Sequence, residues 1–116
     1  MLFQYLDNLE DLRNLTVLNV SGNAIERLEG LRSLTRLKCL NLNQNRVCRL
    51  DGLETLKNLQ RLYLNNNLVN DFPSWFQSRL ISLKSLQIGY NKIDNVSSSC
   101  LGLLIHCFTV IFIFLS

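Results

Sequence analysis

A chain of 116 residues and 13.4 kDa has room for a single domain. Its 47% apolar and 18% charged residues exclude a disordered polypeptide, and one proline with five glycines excludes collagen-like or low-complexity sequence. Basic and acidic residues are interspersed at a net charge of +3, with no polybasic run and no basic stripe, so direct nucleic-acid binding is not expected.

The first residues, Met1 to Asp7, lack the basic region, apolar core and small-residue cleavage site of a secretory signal. A cytoplasmic chain is therefore expected. Cys39, Cys48, Cys100 and Cys107 form no CxxC pair and have no metal-ligand spacing with His106, so reduced, mostly buried thiols are expected, with no metal or cofactor. Sequons at Asn14, Asn19 and Asn95 matter only inside the secretory pathway.

From Leu18 onward the chain repeats itself. Leu18-x-Val20-x-x-Asn23-x-Ile25 is followed by Leu40-x-Leu42-x-x-Asn45-x-Val47, Leu62-x-Leu64-x-x-Asn67-x-Val69 and Leu86-x-Ile88-x-x-Asn91-x-Ile93. The asparagines lie 22, 22 and 24 residues apart, and a fixed period with a constant spelling marks a solenoid. Alternate apolar residues place two side chains on one face of a short strand, and repetition in one direction stacks those strands in parallel. An asparagine carries both a donor and an acceptor, so Asn23, Asn45, Asn67 and Asn91 are expected to form a buried ladder that satisfies the backbone at each inward bend.

Between strands the apolar spacing becomes three: Leu28, Leu31, Leu34 and Leu37, then Leu50, Leu53, Leu56 and Leu59. Side chains at i and i+3 eclipse in a 3₁₀ turn, so the outer side is expected to be 3₁₀ or irregular. The third repeat inserts two residues around Phe72-Pro73-Ser74-Trp75-Phe76-Gln77. There Ser74 and Gln77 have the spacing of a capping box, which predicts a helical turn or two. The expected organisation is four to five repeats over residues 1–96, the first partial, and an atypical apolar tail over 97–116. No charge occurs from Cys100 to Ser116.

The tail has three readings. It is a replaced terminus on a slice of a longer array, a short tail anchor, or a strand or helix that caps the last coil. As a helix, residues 101–115 reach only about 22 Å, against a hydrocarbon core of roughly 30 Å. Phe108, Val110, Ile111, Phe112, Ile113 and Phe114 favour strand. Neither end supplies a polar cap, so marginal stability or dependence on a partner is expected.

The repeat units from Asn23 to Ser33 and Asn45 to Thr55, with their strands, resemble the 22-residue class of leucine-rich repeat, typified by the leucine-rich regulator of protein phosphatase 1. The resemblance runs over roughly residues 6–96. It implies an α/β solenoid, an arc with parallel strands on the concave face and 3₁₀, irregular or short helical convex segments. Phe72-Pro73-Ser74-Trp75-Phe76 with Leu83-Lys84-Ser85-Leu86 is similar to the N-terminal repeats of centriolin-type centrosomal and ciliary proteins.

Catalytic chemistry is not expected. His106 sits in the apolar tail, and Asp51, Glu54, Asp71 and Asp94 fall in outer turns, with no phosphate loop, nucleophile elbow or paired histidines. A binding surface is the better candidate. Val17, Asn19 and Ser21, then Cys39, Asn41 and Asn43, then Arg61, Tyr63 and Asn65, and Ser85, Gln87 and Gly89 alternate with the core positions and should line the concave face. Arg61, Tyr63, Asn65, Asn41, Asn43, Gln87 and Tyr90 are the expected contacts, because Arg and Tyr commonly anchor protein interfaces. The expected function is a protein-interaction module, implied by the resemblance to belong to a centrosomal, ciliary or cytoskeletal scaffold. The alternatives are a regulatory subunit docking an enzyme such as protein phosphatase 1, and a tail-anchored membrane protein with cytosolic repeats.

Overall fold

The computed structural model describes residues 4–93 and the backbone of strand residues 109–111. Five three-residue strands stack in chain order into one parallel sheet: β1 Val17–Asn19, β2 Cys39–Asn41, β3 Arg61–Tyr63, β4 Ser85–Gln87 and β5 Thr109–Ile111. The register joins equivalent repeat positions, with Leu18 opposite Leu40, Leu40 opposite Leu62, and Leu62 opposite Leu86. Strand β5 continues it, Ser85 opposite Thr109. Thr109–Ile111 is thus extended, and the rest of residues 97–116 lies outside the described residues.

The leucine columns behind the sheet form the core. Leu40, Leu42, Leu62, Leu64 and Leu86 are fully buried, as are Leu28, Leu31, Leu34, Leu37, Leu53, Leu56 and Leu59 on the outer side of the coils. Each such side chain contributes roughly 1.5–3 kcal/mol by leaving water. The spacing of three has the expected cause. N–H groups of Leu31, Leu34 and Leu37 donate to the carbonyls of Leu28, Leu31 and Leu34 at 3.0, 3.0 and 3.1 Å, and those of Leu53, Leu56 and Leu59 repeat the pattern one coil later. These i to i+3 bonds make the convex side a chain of 3₁₀-type turns, of which Glu29–Leu31 is a full 3₁₀ helix.

The asparagines tie coil to coil. The Ile25 N–H donates to Asn45 Oδ1 at 3.0 Å, Val47 N–H to Asn67 Oδ1 at 3.0 Å, and Val69 N–H to Asn91 Oδ1 at 3.0 Å. In return, Asn45 Nδ2 donates to the Val20 and Leu42 carbonyls, Asn67 Nδ2 to that of Leu42, and Asn91 Nδ2 to those of Leu64 and Ile88. Asn45 and Asn67 are buried, whereas Asn23 and Asn91 in the outer coils are half-buried. One residue ahead of each asparagine the backbone is left-handed: Gly22 at φ 72°, Gln44 at 58°, Asn66 at 59° and Tyr90 at 56°. That inversion makes the inward bend possible.

Two expectations need correction. The long coil does hold a helix, α1 Phe76–Arg79, but no capping box forms. Trp75 is the residue at its N-terminal boundary and makes no side-chain cap, while Nε2 of Gln77 is buried without a partner among the described residues. Aromatic packing sets the helix start instead. Phe76 is buried with its ring 5.0 Å edge-on to Phe72 and 6.3 Å from Trp75. The two described thiols are also less buried than expected, Cys100 and Cys107 lying outside the described residues. Cys39 and Cys48 are free, the first half-buried at an outward strand position, the second exposed one residue beyond the buried Val47.

Candidate partner-binding face

The pleat of each of the strands β1 to β4 turns its central leucine toward the core and its two flanking residues outward. Parallel register then lines up those outward residues in two columns. Arg61 lies between Cys39 and Ser85, and Tyr63 lies between Asn41 and Gln87. Arg61 is exposed and Tyr63 half-buried, so the pair stands in the middle of the sheet with the Tyr ring partly packed by its neighbours. Arg61 forms no ion pair among the described residues; the two that occur join Arg32 to Glu54 and Arg49 to Asp51, both away from the sheet.

The amides on this face are partly committed to the fold. Asn41 Oδ1 accepts the Asn43 N–H at 3.0 Å, Asn43 Oδ1 accepts the Asn65 N–H at 2.8 Å, and Asn65 Oδ1 accepts the Gly89 N–H at 2.7 Å. Asn65 Nδ2 donates to Gln87 Oε1 at 2.9 Å, which fixes both side chains. Asn19 Oδ1 accepts from the N–H and hydroxyl of Ser21 at 3.1 and 2.8 Å. Asn43 and Asn65 therefore do for the concave side what the inner asparagines do for the bend. Each of these amide oxygens already accepts one backbone N–H, and the donors the face still offers are the Arg61 guanidinium, the Tyr63 hydroxyl and the amide nitrogens of Asn41 and Asn43.

Tyr90 closes the face at the end of the fourth strand segment. It is 49% exposed and holds a left-handed backbone where the other coils use Gly22, Gln44 and Asn66. An aromatic residue in that conformation costs of order 1–3 kcal/mol, a cost Gly or Asn would largely avoid. Arg61, Tyr63, Asn41, Asn43, Asn65 and Gln87 thus share one surface, with Tyr90 at its rim.

Sequence reasoning overlooked Lys38 and Lys84, which are exposed one residue ahead of β2 and β4. Their main chains stack through Gln60, since Gln60 N–H donates to the Lys38 carbonyl at 2.8 Å and Lys84 N–H to the Gln60 carbonyl at 2.9 Å. The signal was present in alternate repeats, since the position just before the strand holds Lys38 and Lys84 ahead of β2 and β4 but Thr16 and Gln60 ahead of β1 and β3.

The acidic residues of the outer turns have local roles. Glu54 pairs with Arg32 at 3.1 Å and accepts the Gly52 N–H at 2.6 Å. Asp51 pairs with Arg49 at 3.4 Å, and Asp71 accepts the Phe72 N–H at 2.8 Å. Among the described residues no group of three or more His, Cys, Asp or Glu could hold a metal ion. His106 and Asp94 lie outside those residues.

A model of the leucine-rich repeat family matches residues 5–101. Among solved structures, a leucine-rich repeat protein of Leptospira interrogans is similar, with a TM-score of 0.80 and 29% identity over 90% of this chain and 27% of its own. An internalin of Listeria monocytogenes has a TM-score of 0.74 at 28% identity, covering 90% of this chain and 45% of its own. A second internalin of that bacterium scores 0.73 at 27% identity, with 93% and 31% covered. The chain thus spans less than half the length of each of these proteins. A search of curated sequences finds no match.

Proposed function

This chain belongs to the leucine-rich repeat family, and we propose that it is a non-catalytic module that binds a partner protein on its concave face. Leucine-rich repeat proteins act as protein–protein interaction modules, and a solenoid presents an extended strand surface for that use. The observation that carries the reading is the Arg61–Tyr63 pair, central in the sheet, exposed on one side and free of any carboxylate partner among the described residues.

The finer reading is a cytoplasmic scaffold component of the centrosome, cilium or cytoskeleton. It is supported by the resemblance to the 22-residue repeat class and to centriolin-type repeats. A phosphatase-docking role would require concave acids, and residues 17–21, 39–43, 61–65 and 85–89 contain none. A tail-anchor role rests on residues 101–115, which apart from the backbone of 109–111 lie outside the described residues.

The test is capture of partners from lysate with tagged full chain and with the Arg61→Ala/Tyr63→Ala variant. Loss of a specific partner with an unchanged circular-dichroism melt is the expected result. Unchanged capture would discard the concave face as the binding site.

A further inference from the structure

Charges that look interspersed in the sequence separate once the coils are stacked. Each strand is entered through an equivalent stretch: residues 12–19, 34–41, 56–63 and 80–87. These stretches hold Arg13, Arg36, Lys38, Lys57, Arg61 and Lys84, half of the 12 cations of the chain, and none of its 9 carboxylates. They lie side by side. Arg36 Nη1 donates to Asn14 Oδ1 at 2.9 Å, Asn58 Nδ2 donates to the Thr35 carbonyl at 2.9 Å, and the Lys38–Gln60–Lys84 main chains are bonded in series. All six cations are exposed, and none meets a carboxylate among the described residues. The basic stripe that the linear sequence conceals is therefore present along one flank, and it opens directly onto the donor-rich concave face through Arg61.

We propose that this flank is a docking surface for an acidic, extended segment of a partner protein. The inference rests on the protein-binding reading and specifies the partner's chemistry. Two independent features favour it. Unpaired cations of one sign give charge complementarity to carboxylates and steer their approach. The adjoining Asn41, Asn43 and Arg61 donors match carboxylates and peptide carbonyls, while the Asn41 and Asn43 oxygens beside them each already accept a backbone N–H. A single-stranded nucleic acid would want a run of aromatic platforms along the basic track. The four entry stretches contain one aromatic residue, Tyr63.

The test measures anisotropy of a fluorescein-labelled oligoglutamate with the full chain, at low and at physiological salt. It includes a flank variant, Lys38→Glu/Lys57→Glu/Lys84→Glu, and an off-flank control of equal charge change, Arg46→Glu/Arg79→Glu/Lys92→Glu. All six side chains are exposed, so both variants should keep the wild-type melt. The expected result is binding that weakens with salt and falls about tenfold or more in the flank variant only. The milder Lys38→Gln/Lys57→Gln/Lys84→Gln variant should give a smaller loss. No binding, or equal losses in the two charge-reversed variants, overturns the proposal. Tighter binding of an oligothymidylate of equal charge overturns it in favour of nucleic acid. Because these variants leave Tyr63 and Arg61 intact, capture that still depends on that pair would uphold the protein-binding module even if the flank fails.

Discussion

Leu18, Leu40 and Leu62 hold the same place in three successive coils, yet Leu40 and Leu62 are fully buried and Leu18 is half-buried. The asparagines divide in the same way: Asn45 and Asn67 are buried, Asn23 is half-buried. Beside Leu18, Val17 is 60% exposed at the edge of the sheet. A repeat residue owes its energy to the coils on either side of it, not to its own letter, because each coil contacts only its neighbours. The central coils, built on β2 and β3, are covered on both sides. Strand β1 has a strand neighbour on one side only.

This contrast can be broken most forcefully in the core. Leu62→Ala should destabilise the chain by about 2–5 kcal/mol, the range for a cavity in a packed interior. Leu18→Ala should cost clearly less; equal costs in denaturant titrations would end the neighbour argument. Gly52→Ala comes next. Gly52 has a φ of 114°, and a Cβ there would strike the Leu28 carbonyl of the preceding coil. A loss of roughly 1–3 kcal/mol is expected from the backbone conformation, before the clash is counted.

The ladder provides a sharper comparison of the same kind. Asn67→Leu should cost roughly 1–3 kcal/mol, because the Val47 N–H loses its partner inside the core and the Leu42 carbonyl is left with Asn45 Nδ2 alone. Asn23→Leu should cost less, at a half-buried site. A change within about 0.3 kcal/mol at Asn67 would remove the ladder from the account. Tyr90→Asn runs the other way. It should stabilise the fold by about 0.5–1 kcal/mol by relieving a left-handed aromatic residue, while weakening partner capture. The smallest effect belongs to the convex surface: Arg32→Gln, breaking the half-exposed pair with Glu54, should cost well under about 1 kcal/mol and less still in salt.

The parts of the architecture legible in the sequence were those governed by periodicity. Leu28, Leu31, Leu34 and Leu37 announce i to i+3 turns, and Leu40-x-Leu42 with Asn45 announces a strand and an inward bend. What stayed hidden depends on neighbours distant in sequence. The use of the Asn43 and Asn65 oxygens by the next coil needs a register that no single repeat displays. The left-handed position is hinted at by Gly22 and Asn66, but Gln44 and Tyr90 in the same column mask it. Ser74 and Gln77 have the spelling of a cap, yet the helix starts at Phe76, where the rings of Phe72, Trp75 and Phe76 pack together. The basic flank was invisible because Lys38, Arg61 and Lys84 are separated in the chain by the acidic outer turns.

The most direct test of the concave face as the binding surface is site-specific photocrosslinking in cells, with a benzophenone amino acid at Tyr63 or at Leu68. Leu68 is a large apolar residue, 42% exposed, and lies outside the strands and outside the four strand-entry stretches. A partner crosslinked from position 63 and not from position 68 is the expected result. A partner crosslinked from position 68 alone would contradict the account and move the interface off the concave face.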